Sequence, residues 1–474
     1  MASLTTPPMF DWSNSSMATI MDLPAELLIA ISSYLTTPEL GAMRRYCKYI
    51  EQSLFERFAK EFFTKRQFMI EHDSLKTLLS IANHPVLSKR LGEVLISTQH
   101  RGRGQLTSMT EADMGRFVDA QEADREILIA SGIARELLQE AFSKLPHVRS
   151  VGVRDFDGKG RTRDGPHTRW RSWGWSTYPS AGLTLDRDPS KVFALVMAAL
   201  GGSDSRPSKL EVILRHSTGL SPNGFYVSTS TAPMLAEAKS LMLDVGQFLR
   251  QRNLPAYKVH ADALRRFLAS SSNLETLRLN FRNPAGRPGA ETILDWLGEP
   301  VQSMRAQPTP PMLFAKLTQF DIGYAELKSS TLLAVLTKFA LTSFSVWNVN
   351  FLCANADSRT APDGCLQFFS DLARLLRPST SVKSVKLGHL TQIPLGLGNR
   401  SSRPISFVLE GSKSDDQDCE LQGEVKFRAR YGLSVAQWLE GVADRVWDWT
   451  VPQANSLDSS DEESVLEDDD GDDE

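Results

Sequence analysis

The sequence predicts an α/β protein with three short amino-terminal helices, an irregular solenoid of alternating helices and parallel strands, and a disordered acidic tail. Three observations support this prediction. Apolar residues recur at helical spacing between residues 23 and 62, an apolar-x-x-apolar-x-apolar pattern recurs further along the chain, and acidic residues crowd its last segment. With 474 residues, 41% of them hydrophobic, the chain can bury a large core, which excludes a mainly disordered protein.

Residues 1–20 are expected to form a disordered leader, because prolines and a Ser/Thr-rich stretch precede the first periodic segment. The leader has no basic residue ahead of an apolar stretch, so no secretory signal is predicted. No apolar run approaches the ~18 residues of a membrane helix, and no membrane partner is expected. The 4 cysteines form no CxxC pair, which favours reduced thiols and a cytoplasmic or nuclear location.

Three helices are predicted between residues 21 and 66. Pro24 suits the first turn of the first helix, and Thr36-Thr37-Pro38 supplies an amino-terminal cap and a first-turn proline for the second. The third helix runs from about Ile50 to Phe62. A unit this small cannot bury all its apolar surface alone, so part of that surface should meet a partner or the next domain.

The order of residues in this unit resembles an F-box over about residues 22 to 70. The resemblance is carried by Leu23-Pro24-Ala25-Glu26-Leu27-Leu28, Ile31, Tyr34-Leu35, Pro38-Glu39-Leu40 and Arg44-Arg45-Tyr46-Cys47-Lys48. The stretch from Phe58 to Phe68 is similar to the continuation seen in many fungal F-box proteins. One departure is Ile50, which stands where the family often has a tryptophan three residues after the cysteine.

The resemblance implies that the unit binds a Skp-family adaptor and, through it, a cullin. Apolar anchors at helical spacing would insert into a groove of the adaptor. The residues expected to contact the adaptor are Leu23, Pro24, Leu27, Leu28, Ile31, Leu35, Leu40, Met43 and Cys47. The alternative is that the same residues only form the core of the unit.

The solenoid is predicted over residues 67–450, including a carboxyl-terminal capping helix from Leu433 to Trp449. The clear instances of the pattern are Leu91/Val94/Ile96, Val148/Val151/Val153, Leu274/Leu277/Leu279, Leu317/Phe320/Ile322, Leu341/Phe344/Val346 and Val382/Val385/Leu387, and weaker ones are Ala238/Leu241/Leu243 and Leu210/Ile213. Their uneven spacing indicates a degenerate leucine-rich repeat with insertions. An ordinary open α/β sheet is the alternative.

Arginines and tryptophans interleave between Asp155 and Pro179. Both residue types are enriched at the energetic centres of protein interfaces, so Arg169, Trp170, Arg171, Trp173 and Trp175 are candidates for contact with a protein substrate. A structured insertion that packs its aromatic rings on the solenoid is a second interpretation. Nucleic-acid binding is a third, with the least support.

The tail is predicted over residues 451–474. From Ser456 onward it has 11 acidic residues and no basic ones, which leaves 46 acids against 53 bases, a charge of about +7, in the rest of the chain. Ser459, Ser460 and Ser464 each precede an acid by three residues, which resembles casein-kinase-type phosphorylation sites. The alternatives are a solvated tail with no specific role, or a segment that shields the positive body.

No HExxH, GxSxG or phosphate-binding glycine loop occurs, so no catalytic residue, metal or cofactor is predicted. The F-box resemblance implies a non-catalytic substrate-recognition subunit of an SCF-type cullin-RING ubiquitin ligase, whose solenoid binds an unknown protein substrate. An F-box and leucine-rich-repeat scaffold outside ubiquitination, and an unrecognised enzyme on the α/β body, remain as alternatives.

Overall fold

The computed structural model describes residues 19–102, 111–174, 182–185, 188–246, 255–282, 289–301, 309–353, 364–377, 381–394, 403–408, 421–429 and 434–446. The predicted leader up to residue 18, Trp175, and the acidic tail with Ser459, Ser460 and Ser464 lie outside these segments. No helix within them has both the length and the apolar composition that crossing a membrane requires.

Helices and strands alternate along most of the chain. The helices are α1 Ala25–Ser32, α2 Thr37–Tyr46, α3 Lys48–Phe63, α4 His72–Asn83, α5 Leu87–Arg90, α6 Glu111–Ala130, α7 Ile133–Ser143, α8 Pro189–Gly201, α9 Thr231–Glu237, α10 Pro255–Ala269, α11 Gly289–Gly298, α12 Ser329–Lys338, α13 Cys365–Leu376 and α14 Val435–Asp444. The strands are β1 Lys65–Met69, β2 Glu93–Ser97, β3 Gln99–Gly102, β4 Ser150–Arg154, β5 Gly158–Lys159, β6 Arg169–Trp170, β7 Gly182–Leu185, β8 Lys209–Ile213, β9 Ser240–Asp244, β10 Thr276–Asn280, β11 Gln319–Gly323, β12 Glu326–Leu327, β13 Ser343–Trp347, β14 Asn350–Cys353, β15 Ser384–Gly388, β16 Thr391–Pro394, β17 Arg403–Pro404, β18 Phe407–Val408, β19 Leu421–Gln422 and β20 Glu424–Arg428.

A ten-stranded sheet forms the centre of the molecule, in the order β1-β2-β4-β8-β9-β10-β11-β13-β15-β20. Neighbouring strands are parallel, except that β20 runs antiparallel to β15. Helices connect the strands and stack in turn, α4 on α7, α7 on α8, α11 on α12 and α12 on α13. The predicted α/β class is confirmed, and the arrangement is solenoid-like.

Seven of the eight apolar patterns lie in the sheet as predicted, with both strand residues of each pair buried. The exception is β8, where the buried alternating pair is Leu210 and Val212, and Ile213 is only half-buried. β1 was not predicted, because it begins with three polar residues. This strand crosses the boundary predicted between residues 66 and 67 and pairs with β2.

A turn with positive φ recurs after three successive strands. Tyr324, Asn348 and His389 follow β11, β13 and β15 with φ of 57°, 55° and 50°. The backbone N–H of each bonds a carbonyl oxygen one unit further along, for example Tyr324 N to Trp347 O at 3.0 Å. Each turn leads into a short strand, and these strands form the parallel ladder β12-β14-β16. The recurrence identifies equivalent positions in three repeats.

The carboxyl-terminal end is covered by β20 and α14. The Trp438 ring lies 5.4 Å from the Phe427 ring, and Leu439 is fully buried. Ser434 begins α14 as its amino-terminal cap, since its Oγ accepts a hydrogen bond from Gln437 N–H at 3.2 Å. The predicted capping helix is therefore present over Val435–Asp444, whereas Trp447 and Trp449 lie outside the described residues.

Candidate partner-binding surface

The three amino-terminal helices have a core of their own. Leu28, Leu40, Ile50, Leu54 and Phe62 are buried together, one from each of α1 and α2 and three from α3. Ile50, the departure from the F-box pattern, is fully buried at this core. The unit therefore satisfies most of its apolar side chains without an outside partner.

The start of α2 is fixed by a local interaction that the sequence predicts. Thr36 donates from both its backbone N–H and its Oγ1 to Glu39 Oε2, at 2.8 Å each. The backbone bond and then the hydroxyl bond lower the pKa of Glu39, which favours its charged form at a helix amino terminus. This cap sets the turn between α1 and α2.

One side of α1 remains exposed and apolar. We call Leu27, Ile31 and Tyr34 the exposed apolar row; their exposed fractions are 51%, 40% and 88%. Leu27 and Ile31, four residues apart, lie on one face of α1, and Tyr34 follows in the turn just after the helix. Seven of the thirteen exposed large hydrophobic side chains that the structure describes lie between residues 20 and 49. Such a concentration of exposed apolar surface is typical of a binding site.

The structure separates the nine predicted adaptor-contact residues into three groups. Pro24, Leu27 and Ile31 are exposed. Four are half-buried against the unit's own core, namely Leu23, Leu35, Met43 and Cys47. Leu28 and Leu40 are buried inside that core, because adjacent helical positions point about 100° apart and Leu28 turns inward where Leu27 turns outward. Tyr34, outside the predicted contact set, is the most exposed residue of the row.

An arginine from the distant Arg/Trp-rich segment holds this unit in place. We call residues 155–174 the clamp loop. Arg163, in its 3-10 turn, donates from Nε and Nη2 to the two carboxylate oxygens of Glu61 at 2.5 Å each. Its Nη1 donates to the carbonyl oxygens of Ser32 at 2.9 Å and Leu35 at 2.6 Å. One guanidinium, 6% exposed, therefore joins the end of α1 to α3.

The next residue of the clamp loop binds the start of α2. The carboxylate of Asp164 accepts a hydrogen bond from Thr37 N–H at 2.7 Å and another from Thr37 Oγ1 at 2.6 Å. A carboxylate at a helix amino terminus is favourable, because unpaired N–H groups and the helix dipole are positive there. Arg163 and Asp164 together contact all three helices of the unit.

Arginine side chains on phenylalanine rings complete the junction between the unit and the sheet. The Arg161 guanidinium lies 4.0 Å from the Phe62 ring centroid, and that of Arg66 lies 5.3 Å from the Phe63 centroid. Burial, and then the charge of Arg161, lower the pKa of Arg66 to about 10. Arg66 therefore stays protonated at neutral pH and keeps its attraction to the ring.

The clamp loop is also anchored to the sheet at both of its ends. At its start, Asp155 accepts hydrogen bonds from three consecutive backbone N–H groups after β8, of residues 215 to 217, at 2.6 to 2.8 Å. At its end, Trp173 N–H donates to Gln67 O at 2.8 Å, and Gln67 Nε2 donates to Ser172 Oγ at 2.8 Å. The loop therefore connects the helical unit rigidly to β1 and the strands beside it.

The predicted substrate-contact residues have different places in this loop. Arg169 is exposed, and Arg171 lies 3.8 Å from Asp157. Trp170 packs closely over Gly158, and Trp173 is half-buried against the main core. These contacts match the interpretation of a structured insertion. Neither Arg163 nor Asp164 was among the predicted contact residues, because no local pattern links Arg163 to Glu61, 102 positions away.

The sheet face opposite the helices carries a polar groove of about 360 Å³ over β10, β11, β13 and β15. The strand register aligns Arg278, Asp321, Ser345 and Lys386 across it. Burial raises the pKa of Asp321. The Lys386 Nζ lies 4.8 Å from the centroid of the half-buried Trp347 ring. A row of charges beside a flat aromatic ring suits contact with a polypeptide segment.

Comparisons with known proteins leave the family of the chain open. No family model matches it, and no curated protein matches it. Among solved structures, it is similar to the crystal structure of the Rad7 and Elc1 complex in yeast, at 10% sequence identity and a TM-score of 0.25. The match covers 78% of this chain and 80% of that chain. At these values the similarity establishes neither a family nor a function.

Proposed function

We propose that the protein is a non-catalytic substrate receptor of an SCF-type cullin-RING ubiquitin ligase. In this proposal residues 21–66 act as an F-box that binds a Skp-family adaptor, and the solenoid binds the protein to be modified. One observation carries the proposal: the exposed apolar row lies outside a core that is already complete. Residues with no role in their own unit's packing are free to contact a partner.

The clamp loop supports the same proposal because it holds the helical unit at a fixed position relative to the sheet. A receptor of this kind accelerates ubiquitin transfer by holding a substrate lysine near the ubiquitin carrier, so its adaptor end and its substrate end must keep a defined separation. Arg163 and Asp164 hold the helical unit against the sheet. The polar groove of that sheet is the candidate substrate surface. The proposed contact of Arg169 with a substrate fits its exposed position.

The test is co-purification of the full chain with a Skp-family adaptor. We expect the double variant Leu27→Asp, Ile31→Asp to bind the adaptor at least ~100-fold more weakly, because both changes place charge in an apolar contact. The matched control is Ile127→Asp, Leu313→Asp, which changes two similarly exposed apolar residues outside the unit. Equal adaptor binding by both folded variants would show that the row is not the docking surface.

A scaffold outside ubiquitination would also bind the adaptor. It differs in its consequence for bound proteins, since it predicts no cullin-dependent change in their abundance. Comparing protein abundance in cells with the native chain and with the Leu27→Asp, Ile31→Asp variant separates the two. The receptor proposal requires that proteins captured by the solenoid accumulate in the variant.

A further inference from the structure

A second depression, of about 480 Å³, lies at the edge of the sheet where β2, β4 and β8 begin. Its charged lining consists of Lys89, Arg90, Arg149 and Arg206, with His147 beside them. No carboxylate belongs to the lining that the structure describes. We call it the basic pocket. It lies apart from the exposed apolar row and the polar groove, and the proposed function does not use it.

The backbone around the basic pocket is held by the strand ends. Arg149 N–H donates to Gly92 O at 2.8 Å, and Arg149 O accepts from Lys209 N–H at 2.9 Å. The position of Arg149 is therefore set by both neighbouring strands. The pocket is a fixed part of the sheet edge, so a ligand would not have to order its walls.

Two of the four cations are uncompensated. Arg90 forms an ion pair with Glu56, and Arg206 forms one with Glu237 at 3.8 Å. The Arg206 guanidinium also donates to the carbonyl oxygens of Ser203 and Ser205 at 2.8 and 2.9 Å. Lys89 and Arg149 are exposed, and in the part of the chain that the structure describes neither has an ion-pair partner. These two uncompensated positive charges at one concavity raise the local concentration of anions.

We propose that the basic pocket binds an acidic peptide segment, and that residues 456–474 of the same chain supply it. This segment has 11 acids and no base, whereas the rest of the chain carries about +7. Seven strand spacings separate β20 from β4, a path of about 34 Å at ~4.8 Å per strand. Residues 447–458 span up to ~40 Å when extended, which is enough to bring the acids to the pocket.

An acidic peptide fits the basic pocket better than a nucleic acid does. Single-stranded nucleic acids are bound by a basic track with aromatic rings on which bases stack. The lining of this pocket has no aromatic ring other than His147, and its cations surround one concavity. Binding of residues 456–474 in cis would be aided by an effective concentration on the order of millimolar.

The test measures fluorescence anisotropy of a labelled peptide of residues 456–474. The labelled peptide is titrated with the native full chain and, separately, with a full-length variant in which the 11 tail acids are replaced by Asn or Gln. We expect at least ~10-fold tighter peptide binding by the neutralised variant, because its pocket is vacant, and weaker binding at ~500 mM than at ~50 mM salt.

Charge reversal then locates the site. Adding Lys89→Glu, Arg149→Glu to the neutralised variant is expected to weaken peptide binding at least ~10-fold. The control is Arg135→Glu, Lys191→Glu, which reverses two exposed charges on α7 and α8; Lys89→Gln, Arg149→Gln repeats the test if the reversal prevents folding. Equal binding by pocket and control variants would overturn the proposal. So would equal binding by native and neutralised chains, or preferential binding of an oligonucleotide of the same charge.

Discussion

Arg163 and Glu61 show how much of the molecule's organisation depends on single side chains. Their two hydrogen bonds connect a loop to a helix 102 positions earlier. The same guanidinium also donates to the carbonyl oxygens of Ser32, the last residue of α1, and of Leu35 in the segment after it. The last carbonyl groups of a helix have no partner within the helix. Arg163 therefore stabilises the end of α1 while it joins α1 to α3.

We expect Arg163→Ala to loosen the helical unit from the sheet. The cost should be about 2 kcal/mol, below that of a fully buried pair because Glu61 is partly exposed and regains water. Hydrogen exchange of amides in α1 and α2 should accelerate, while exchange in β9 and β10 should not. Arg169→Ala, at an exposed position of the same loop, is the control, and identical exchange in both variants would contradict this role of Arg163.

The sequence allowed the character of this segment to be predicted but not its contacts. The density of arginine and tryptophan indicated a structured or binding insertion, and Trp170 and Trp173 do pack. Arg163, and not Arg161 or Arg169, pairs with Glu61 because the fold places the 3-10 turn beside α3. This placement depends on tertiary structure and leaves no local pattern in the sequence.

At the scale of elements, α1 has one face in the core of its unit and another in solvent. Helical spacing predicted a single apolar stripe that includes both Leu27 and Leu28, and the stripe is wider than the core needs. Only the packing of α3 against α1 decides which side is buried. The sequence pattern therefore predicted that α1 is apolar, but not which of its sides is exposed.

Substitutions on the two faces of α1 should have very different effects. Leu28→Ala should lower the free energy of unfolding by about 2 to 5 kcal/mol, because it leaves a cavity in the core of the unit. Leu27→Ala, its neighbour, should change it by less than ~0.5 kcal/mol. Chemical denaturation followed by circular dichroism measures both, and similar losses would mean that Leu27 is also a core residue.

The apolar pattern predicted the strands that are apolar on one face. It did not predict β1, which is covered by the clamp loop. β10 and β11 alternate apolar and polar residues, so their pattern sufficed. β1 begins with Lys65, Arg66 and Gln67, and Gln67 is buried because it bonds Ser172 in the clamp loop. A buried polar residue satisfied by a distant loop leaves no periodic signal in the sequence.

At the scale of the whole molecule, the solenoid depends on the closure of its carboxyl-terminal end. The helical and sheet layers both finish there, with α14 packed on α13 and β20 paired to β15. Terminal repeats of a solenoid have neighbours on one side only, so their stability depends on the cap. The cap was predictable from its amphipathic pattern, whereas the antiparallel direction of β20 was not.

We expect Leu439→Ala, at a fully buried position of α14, to destabilise the last repeats selectively. The cost should be about 2 to 5 kcal/mol, and amide exchange should accelerate first in β15 and β20 while β2 and β4 stay protected. Asp444→Ala, at the exposed last residue of α14, is the control. Uniform loss of protection across the sheet would instead indicate that the solenoid unfolds as one cooperative unit.

The two outermost strands explain how a sheet this long avoids adding strands from other chains. At the β1 edge, the backbone N–H of Trp173 donates to the carbonyl oxygen of Gln67, so the clamp loop covers part of this edge strand. At the opposite edge, β20 is five residues long and carries the charged residues Glu424, Lys426 and Arg428. Short, charged edge strands disfavour the addition of strands from other chains. The loop that fastens the helical unit thus also protects the protein from polymerising, and its loss would carry an aggregation hazard.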